Sequence, residues 1–334
     1  MDNKIDFVIT WVDGNDPIWQ KERNHYADLE STEIDDNSCR FRDWDTLRYW
    51  FRGVEKFAPW VNNIFFVTYG HLPKWLNTNH PKLRIVKHSD FIPAEYLPTF
   101  SSNVFEFYFH KIEGLSDKFV YFNDDMFLID EVYPDRFFRD GLPCDIGAFV
   151  DNNIKGMFGC SVFIAINLIN QHFNKKESVM KNPSKWFNLA YSFNFLLHNF
   201  LYFRIRRSSF NGFYNHHLPQ GYLKKTYDEV WANCEKDLIR TSRSKFRRYG
   251  DVAPWLLRYW QLASGQFTPY SCKEDKYYVI KDTNILEIST CIKHQKFKMI
   301  CLNDTPIQMN FDENREKILE AFGVILPDKC NFEL

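Results

Sequence analysis

Strand-like and helix-like patterns of apolar residues alternate along the first third of the chain. Strands are predicted at residues 5–11, 63–69, 83–87 and 119–123, which are short apolar runs bounded by turn residues. Residues 43–57 and 101–113 instead place apolar side chains at the three- and four-residue spacing of one helix face. Strands that alternate with helices predict an α/β fold built on a mostly parallel sheet.

In the rest of the chain, the pattern of apolar residues changes twice. Residues 151–211 lose the alternation and predict an inserted, mainly helical lobe. Strands return at residues 277–280 and 298–302, and a closing helix is predicted over residues 311–322. The pattern therefore predicts three parts, at residues 1–150, 151–211 and 212–334, the last completing the core.

Composition limits the class of protein. The 42 basic and 43 acidic residues give a net charge of −1, which excludes the strongly basic character of a nucleic-acid-binding protein. Aromatic residues make up 18% of the chain, enough for a large core without disulfides. None of the eight cysteines forms a C-x-x-C pair, so reduced thiols in a cytosolic protein are expected. No apolar stretch has the length of a membrane span or the form of a signal peptide, and we expect a soluble or peripheral protein.

Acidic side chains follow several of the predicted strands. They are Asp13 and Asp16 after the first strand, Asp124 and Asp125 after the fourth, and Asp304, next to Asn303, after the last. Ligands of parallel α/β sheets bind beyond the carboxyl ends of the strands, and adjacent carboxylates there require a compensating cation or proton. Mg²⁺ or Mn²⁺ holding a nucleotide diphosphate would supply that charge. The alternative is that these residues only form turns and cap helices.

Two basic clusters lie in the second half of the chain. Residues 190–207 combine aromatic and leucine side chains with three arginines near their end. This fits either a buried helix of the lobe or an interfacial segment at an anionic membrane surface. Residues 240–248 carry five basic side chains, which favour either a solvated face or phosphate recognition.

Four segments, in order, carry the motifs of a known family. The first is IDFVITWVDGNDPIW at residues 5–19, and the second spans residues 40–129, from RFRDWDTLRYWFRGVEKFAPWVNNIFFVT to GLSDKFVYFNDDMFL. The third, residues 212–266, contains HHLP and FRRYGD, and the fourth is ICLND at residues 300–304. Together they resemble the conserved regions of the Stealth family of sugar-phosphate transferases. That family includes bacterial capsular polysaccharide phosphotransferases and the animal N-acetylglucosamine-1-phosphotransferase catalytic subunit.

The resemblance implies a GT-A-like, Rossmann-type α/β core in which residues 1–150 bind the nucleotide sugar. It implies transfer of hexose 1-phosphate from a UDP-sugar to a hydroxyl of an acceptor glycan, either free or lipid-linked, in capsule or other surface polysaccharide synthesis. The products would be a phosphodiester and UMP, and Mg²⁺ or Mn²⁺ would be the cofactor. Residues 151–211 would contact the acceptor or the membrane, which predicts a cytoplasmic protein, either free or peripheral on the inner face of the plasma membrane. The hexose, the acceptor and the oligomeric state stay open.

The resemblance also implies catalytic roles for single residues. His217 corresponds to the histidine of the family's H-x-P motif and is the expected general base, with His216 as its neighbour. Arg247 lies four residues before Asp251, as in the family, and is expected at the phosphate, with Arg248 as the second candidate. Each of these residues has a structural alternative, namely a turn histidine or a solvated arginine.

The remaining expected site residues fall into two sets. The metal set is Asp124, Asp125, Asn303 and Asp304, and Asp125 is also counted as catalytic. The donor-binding set is Trp11, Asp13, Gly14, Asp16, Arg40, Asp43, Glu106 and His110. Within this second set, Gly14 is expected to permit a tight turn, and Glu106 and His110 are expected on one helix face because they are four residues apart. Tyr108 stands where family members often carry a histidine, so no role passes to that position.

Two other functions compete with phosphotransfer. A metal-dependent glycosyltransferase would move only the sugar and release UDP. A nucleotide-sugar- or glycan-binding protein would use its many aromatic side chains as stacking platforms and catalyse nothing. The nucleotide released from a UDP-sugar separates these three hypotheses.

Overall fold

Eleven strands and eleven α-helices make up the protein in its computed structural model, which describes residues 4–30, 41–152, 154–204, 208–304, 306 and 309–334. The strands are β1 (Ile5–Trp11), β2 (Ile64–Thr68), β3 (Leu83–Lys87), β4 (Lys118–Phe122), β5 (Met126–Leu128), β6 (Phe138–Arg139), β7 (Leu142–Asp145), β8 (Gln220–Leu223), β9 (Thr268–Pro269), β10 (Asp275–Val279) and β11 (Met299–Asn303). The helices are α1 (Pro17–Leu29), α2 (Leu47–Phe57), α3 (Ser102–Phe105), α4 (Gly156–His172), α5 (Lys175–Lys181), α6 (Pro183–Trp186), α7 (Phe193–Arg204), α8 (Lys224–Ser242), α9 (Trp255–Ser264), α10 (Ile285–Lys293) and α11 (Phe311–Ile325).

The central sheet has the order β3-β2-β1-β4-β8. Its first four strands are parallel, and β8 runs antiparallel to β4. The order β3-β2-β1-β4 is that of a Rossmann-type nucleotide-binding half. The predicted α/β fold with a mostly parallel sheet and flanking helices is therefore confirmed.

Helices cover both faces of this sheet, which explains why its strands are almost continuously apolar. Phe7 and Ile9 of β1 point into a cluster that includes α2, α10 and α11. Val8, between them, points into the opposite cluster, which includes α4, α8 and α9. Successive side chains of a strand alternate between the two faces of the sheet. Strand β1 therefore contributes side chains to the hydrophobic clusters on both faces.

A second sheet, of order β10-β11-β5, joins the end of the chain to the core. Strand β5 follows β4 almost directly and pairs antiparallel with β11, with Met126 opposite Cys301. As a result, residues separated by about 180 positions in the sequence meet beside the carboxyl end of β4. The third sheet, β6-β7-β9, is small.

Residues 151–211 are helical where the structure describes them, and contain α4 to α7. Helix α4 packs against α9, and its buried residues share a hydrophobic cluster with the central sheet. The proposed boundaries at residues 151 and 212 stay a prediction. Within the described ranges, none of the helices combines the length and the hydropathy that a bilayer-spanning segment requires.

A fully buried ion pair between Asp145 and Arg258 connects β7 to α9. The guanidinium holds the carboxylate through two nitrogens, at 2.7 Å from Nη2 to Oδ1 and 2.8 Å from Nε to Oδ2. Burial alone would raise the pKa of Asp145, but Arg258 and His216 outweigh it and hold that pKa at about 2. Arg258 also donates to the backbone carbonyl of Tyr214 and to Oδ1 of Asn215. One ion pair thus fixes the loop that precedes β8.

We expect Arg258→Met to lower the free energy of unfolding by about 3–5 kcal/mol, because it leaves a buried carboxylate without its cation. Replacing both partners, as Asp145→Leu with Arg258→Met, should recover much of that loss because no buried charge remains. Urea unfolding followed by circular dichroism measures both. The control is Arg139→Met, which breaks an exposed pair with Asp135 and should cost less than about 1 kcal/mol. A double variant as unstable as Arg258→Met would contradict this account.

Candidate active site

A cavity of about 760 Å³ opens at the carboxyl edge of the central sheet. Its walls include Trp11 at the end of β1, Tyr69 after β2, and residues 123–125 after β4. Asn303 and Asp304 contribute from the end of β11. The cavity lies where parallel α/β sheets bind ligands, and its volume suits a ligand of nucleotide-sugar size.

Two acidic segments meet on one wall of this cavity because β5 pairs with β11. The backbone N–H of Leu302 donates to the carbonyl of Asp125 at 2.8 Å. That bond places Asn303 and Asp304 beside Asp124 and Asp125, although neither segment is near the other in the sequence. The four residues of the expected metal set therefore share one wall.

Burial and repulsion between carboxylates both raise the pKa values of acidic groups on this wall. Enclosure by the cavity walls and the charge of Asp125 raise the pKa of Asp124 to about 7, even though its side chain faces solvent in the cavity. Asp43 lines the same cavity, and its pKa is raised mainly by burial and also by the charges of Asp45 and Asp13. A cation would relieve this repulsion.

Asp125 has the surroundings of a metal ligand. Its Oδ1 is buried and finds no hydrogen-bond partner among the described residues, a costly state for a carboxylate oxygen unless a cation binds it. One ligand atom each from Asp125, His217 and Cys301 lie within 4.8 Å of one another. Carboxylate oxygens suit Mg²⁺ or Mn²⁺, whereas imidazole and thiolate suit softer ions. These residues fit a divalent cation.

Asp304 lies on the same wall but is held by neighbouring side chains. Its Oδ1 accepts from Arg42 at 2.9 Å and its Oδ2 accepts from the indole N–H of Trp44 at 3.1 Å. Both carboxylate oxygens are therefore engaged in fixing the segment that precedes α2. Asn303 makes the adjoining part of the wall.

His217 faces this acidic wall. Its Nε2 lies 3.5 Å from Oδ2 of Asp125, and about a third of the side chain is exposed. Burial opposes the imidazolium, but the contact with Asp125 and the charge of Glu106 outweigh it and raise the pKa of His217. Asp125 thus presents one oxygen to His217 and leaves the other unpartnered within the described structure.

His216 has a different environment from its neighbour. It is buried, its Nε2 lies 3.4 Å from Oδ1 of Asp145, and burial together with Arg258 lowers its pKa. It belongs to the ion-pair network that fixes the loop. The two adjacent histidines therefore have different surroundings. His216 belongs to the ion-pair network, and His217 faces Asp125.

Arg247 reaches the cavity from the segment between α8 and α9. It hydrogen bonds to Oγ of Ser102 and lies close to Glu106, whose pKa is raised to about 7 by burial despite that positive charge. Arg248 instead donates to Oγ of Ser244 at 2.8 Å and does not line the cavity. The structure thus brings Arg247, rather than Arg248, into the cavity that also contains His217 and the acidic wall.

The first motif contributes less to the cavity than its sequence suggested. Trp11 lines the cavity, but Asp13, Gly14 and Asp16 do not. Oδ1 of Asp13 accepts from Asn15 N–H at 2.9 Å, and Asp16 caps α1 by accepting from Trp19 N–H at 2.8 Å. These are the turn and capping roles that the sequence left open as an alternative.

Gly14 is required for a reason other than the turn that was expected. Its φ is not positive, but a Cβ added there would lie 2.1 Å from the carbonyl oxygen of Phe41. The glycine allows the segment before α2 to approach the end of β1. Arg40, the residue before Phe41, lies outside the described residues.

Glu106 and His110 do not share a face, which corrects the expectation of a single helix over residues 101–113. The chain forms α3 and then a 3₁₀-helix over Glu106–Lys111. With three residues per turn, positions four apart diverge by about 120°. Glu106 therefore lines the cavity, while His110 is buried against Tyr227 and Trp231. Burial lowers the pKa of His110 to about 3.

Several residues at or near the cavity were not predicted from the sequence motifs. Cys301 is fully buried beside Asp125, and Ser102 holds Arg247. Asp145 and Arg258 act at a distance by fixing the loop of His217. One signal was available, since an arginine inside the apolar helix WLLRYWQLAS requires a buried partner.

Comparison with known proteins matches two family models to this chain. Stealth protein conserved region 1 matches residues 3–28, and Stealth protein conserved region 2 matches residues 40–144. The chain is 39% identical over 333 residues to the capsular polysaccharide phosphotransferase WcwK of Streptococcus pneumoniae, covering 100% of both chains. It is 37% identical over 338 residues to the receptor polysaccharide phosphotransferase WefC of Streptococcus oralis, covering 99% of this chain and 100% of that one. The exopolysaccharide phosphotransferase cps2G of Lactiplantibacillus plantarum is 38% identical over 334 residues, covering 98% and 96% of the two chains.

Solved structures resemble the chain only distantly. The galactosyltransferase LgtC, in complex with donor and acceptor sugar analogues, aligns with a TM-score of 0.42 and 10% identity, covering 95% of both chains. The bifunctional glycosyltransferase WbbM aligns with a TM-score of 0.39 and 11% identity, covering 97% of this chain and 52% of that one.

We expect His217 to titrate above 6.5 in buffer free of divalent cations, because Asp125 stabilises its protonated ring. Asp125→Asn should move the midpoint to lower pH. Two-dimensional NMR of the histidine side chains measures both, with His217→Gln assigning the signal among the ten histidines. His216 serves as the internal control, since its pKa is lowered and it contacts Asp145 instead. A His217 midpoint below 6.5, or one unmoved by Asp125→Asn, would contradict this pairing.

Proposed function

The chain belongs to the Stealth family, and from that premise we propose that it is a phosphotransferase of surface polysaccharide synthesis that transfers hexose 1-phosphate from a UDP-sugar to a glycan hydroxyl. The acceptor oxygen attacks the β-phosphorus of the UDP-sugar. The bond from that phosphorus to the oxygen bridging the two phosphates breaks, and UMP leaves. The acceptor proton passes to a base, and the product is a phosphodiester.

One observation carries the proposal. A single cavity at the carboxyl edge of the sheet holds an acidic wall, with Asp124 and Asp125, and also Arg247 and His217. Transfer at phosphorus depends on positioning and on neutralising the charge of the phosphate oxygens, so it needs both a cation site and a basic side chain. The cavity offers these two elements together with a titratable group of suitable pKa.

A divalent cation fits the acidic wall. Asp125 would hold Mg²⁺ or Mn²⁺ with its unpartnered Oδ1, and Asp124, Asn303 and Asp304 lie on the same wall. The ion would supply charge neutralisation for the diphosphate. Asp124 would then be ionised near neutral pH, because the cation offsets its repulsion with Asp125.

His217 is the proposed general base. Its contact with Asp125 orients the ring and stabilises the imidazolium that forms when the acceptor proton is taken up. Because Asp125 raises its pKa, the neutral ring that accepts the proton becomes available as the pH rises through that pKa. The rate should therefore increase from acidic to neutral pH.

Arg247 is the proposed partner of the non-bridging phosphate oxygens. Ser102 and Glu106 position its guanidinium at the cavity, which limits the entropy lost when it binds a phosphate. Trp11 and Asp43, also on the cavity wall, are the proposed contacts for the nucleoside part of the donor. We place the reaction in the cytoplasm, with the enzyme either free or peripheral on the inner face of the plasma membrane and a surface glycan precursor as acceptor.

Incubation with a UDP-hexose, an acceptor glycan and Mg²⁺ or Mn²⁺ should release UMP in proportion to phosphodiester formed. Chromatography of the nucleotide and ³¹P NMR of the product measure the two. Release of UDP instead would favour the metal-dependent glycosyltransferase. Binding of the UDP-hexose without release of either nucleotide, across a panel of acceptors, would favour a binding protein.

His217→Ala and Arg247→Ala should each lower kcat by about 10²–10³, since one loses the base and the other the charge on the transferred phosphate. Arg248→Ala is the matched control, because this neighbour bonds to Ser244 outside the cavity and should retain activity within a few-fold. Steady-state UMP release measures all three. An Arg248→Ala variant as impaired as Arg247→Ala would contradict the assignment of the phosphate contact.

A further inference from the structure

Helix α7 presents an apolar face to solvent. Phe193, Leu197, Phe200 and Leu201 follow the spacing of one helical stripe, and they are 77%, 43%, 52% and 50% exposed. Leu189, just before the helix, is 92% exposed. We refer to these five residues as the α7 face. Scattered exposed apolar residues need no explanation, but a contiguous stripe marks an interaction surface.

The opposite side of α7 shows that this orientation is fixed. Asn199 is fully buried and accepts from the backbone N–H of Phe149 at 2.8 Å. Its amide donates to the carbonyls of Gly147 and Trp186, both at 2.6 Å. Rotating the helix to bury the α7 face would leave these buried polar groups without partners. The inward side also carries partly buried apolar residues, namely Phe195, Leu196, Tyr202 and Phe203. The helix is therefore apolar on both sides, whereas an ordinary surface helix has a polar outer face.

The net charge of the segment that contains α7 indicates the partner of the α7 face. Residues 151–211 carry eight basic and two acidic side chains, in a chain whose net charge is −1. Arg204 is exposed at the end of α7 itself. Exposed apolar and aromatic side chains with an arginine at the end of the same helix, in a segment of positive net charge, match the boundary between the acyl chains and the headgroups of an anionic bilayer. The same excess of positive charge would oppose the pairing of this surface with a second copy of itself.

We propose that the α7 face docks the protein on an anionic membrane surface. The aromatic and leucine side chains insert at the headgroup boundary while Arg204 contacts lipid phosphates. The attachment is peripheral, since none of the described helices qualifies as a membrane span.

Helix α7, which carries the α7 face, lies close to the cavity in the fold. Phe195, on the inner side of α7, contacts the ring of Tyr214 at 4.7 Å between centroids, and Tyr214 lines the cavity. Phe158 of α4 lines the cavity as well and is 59% exposed. Docking would therefore bring the cavity near the bilayer. This last step rests on the proposed function, because it gives the enzyme access to an acceptor glycan carried on a lipid.

Flotation with vesicles tests the docking directly, without any substrate. The wild-type chain should float with vesicles of phosphatidylglycerol and phosphatidylcholine, and about tenfold less with phosphatidylcholine alone. Phe193→Ser combined with Phe200→Ser should reduce binding to the anionic vesicles by about tenfold or more. The matched control is Leu286→Ser, an equally exposed apolar residue on α10, at 68%, which should bind like wild type. Thermal unfolding by circular dichroism checks that each variant is folded.

Salt provides a measurement that needs no variant, since about 0.5 M NaCl should weaken the binding of the wild type to anionic vesicles. Equal binding to both kinds of vesicle, or binding unchanged by the double serine variant, would overturn the proposal. So would light scattering that shows a dimer abolished by the double variant together with no vesicle binding, because the α7 face would then join two copies. UMP release with a water-soluble acceptor should be unchanged in the double variant, so failure of docking and failure of the proposed reaction are distinguishable.

Discussion

The buried ion pair between Asp145 and Arg258 is the constraint on which the candidate site depends. A charged pair without water is stable only when its remaining donors and acceptors are satisfied, and here His216, Asn215 and the carbonyl of Tyr214 complete it. Satisfying the arginine therefore fixes the loop before β8. His217 follows directly in that loop and consequently faces Asp125. Arg258, on the apolar helix α9, thus positions His217 through the loop and without direct contact.

Asp125 stands where the two halves of the cavity meet. One of its oxygens lies against His217, and the other is buried without a partner in the described structure. A single carboxylate can therefore orient a base and contribute to a cation site. The net charge of −1 conceals this arrangement, because acidic residues gather on one wall while Arg247 reaches the cavity from another segment. The cavity therefore combines a basic side chain with acidic side chains that could hold a cation, the two elements that binding of a diphosphate needs.

The periodicity of apolar residues was sufficient to predict most elements of the core. The strand at residues 5–11 appears unchanged as β1, and those at 83–87 and 298–302 agree with β3 and β11 to within one residue. Periodicity failed at residues 101–113, where an apolar stripe fits an α-helix and the chain instead tightens to 3₁₀ geometry after Phe105. The hydrophobic pattern records which residues are buried, but not the choice between two helical hydrogen-bonding patterns. For that reason His110 was wrongly expected on the face of Glu106.

The α/β fold, the mostly parallel sheet, the family and the acidic residues that end β4 and β11 could all be predicted from the amino-acid sequence, because they depend on local periodicity and on contiguous motifs. The motifs do not reveal which of their residues share a cavity, and this became visible in the folded chain. The tertiary structure assigned Asp13 to a turn and Asp16 to a helix cap, separated His217 from His216, and brought residues 124–125 and 303–304 together through the pairing of β5 with β11. The physical reason is that strand pairing and buried ion pairs join residues far apart in the chain, and the energy of such contacts leaves no periodic signal in the sequence.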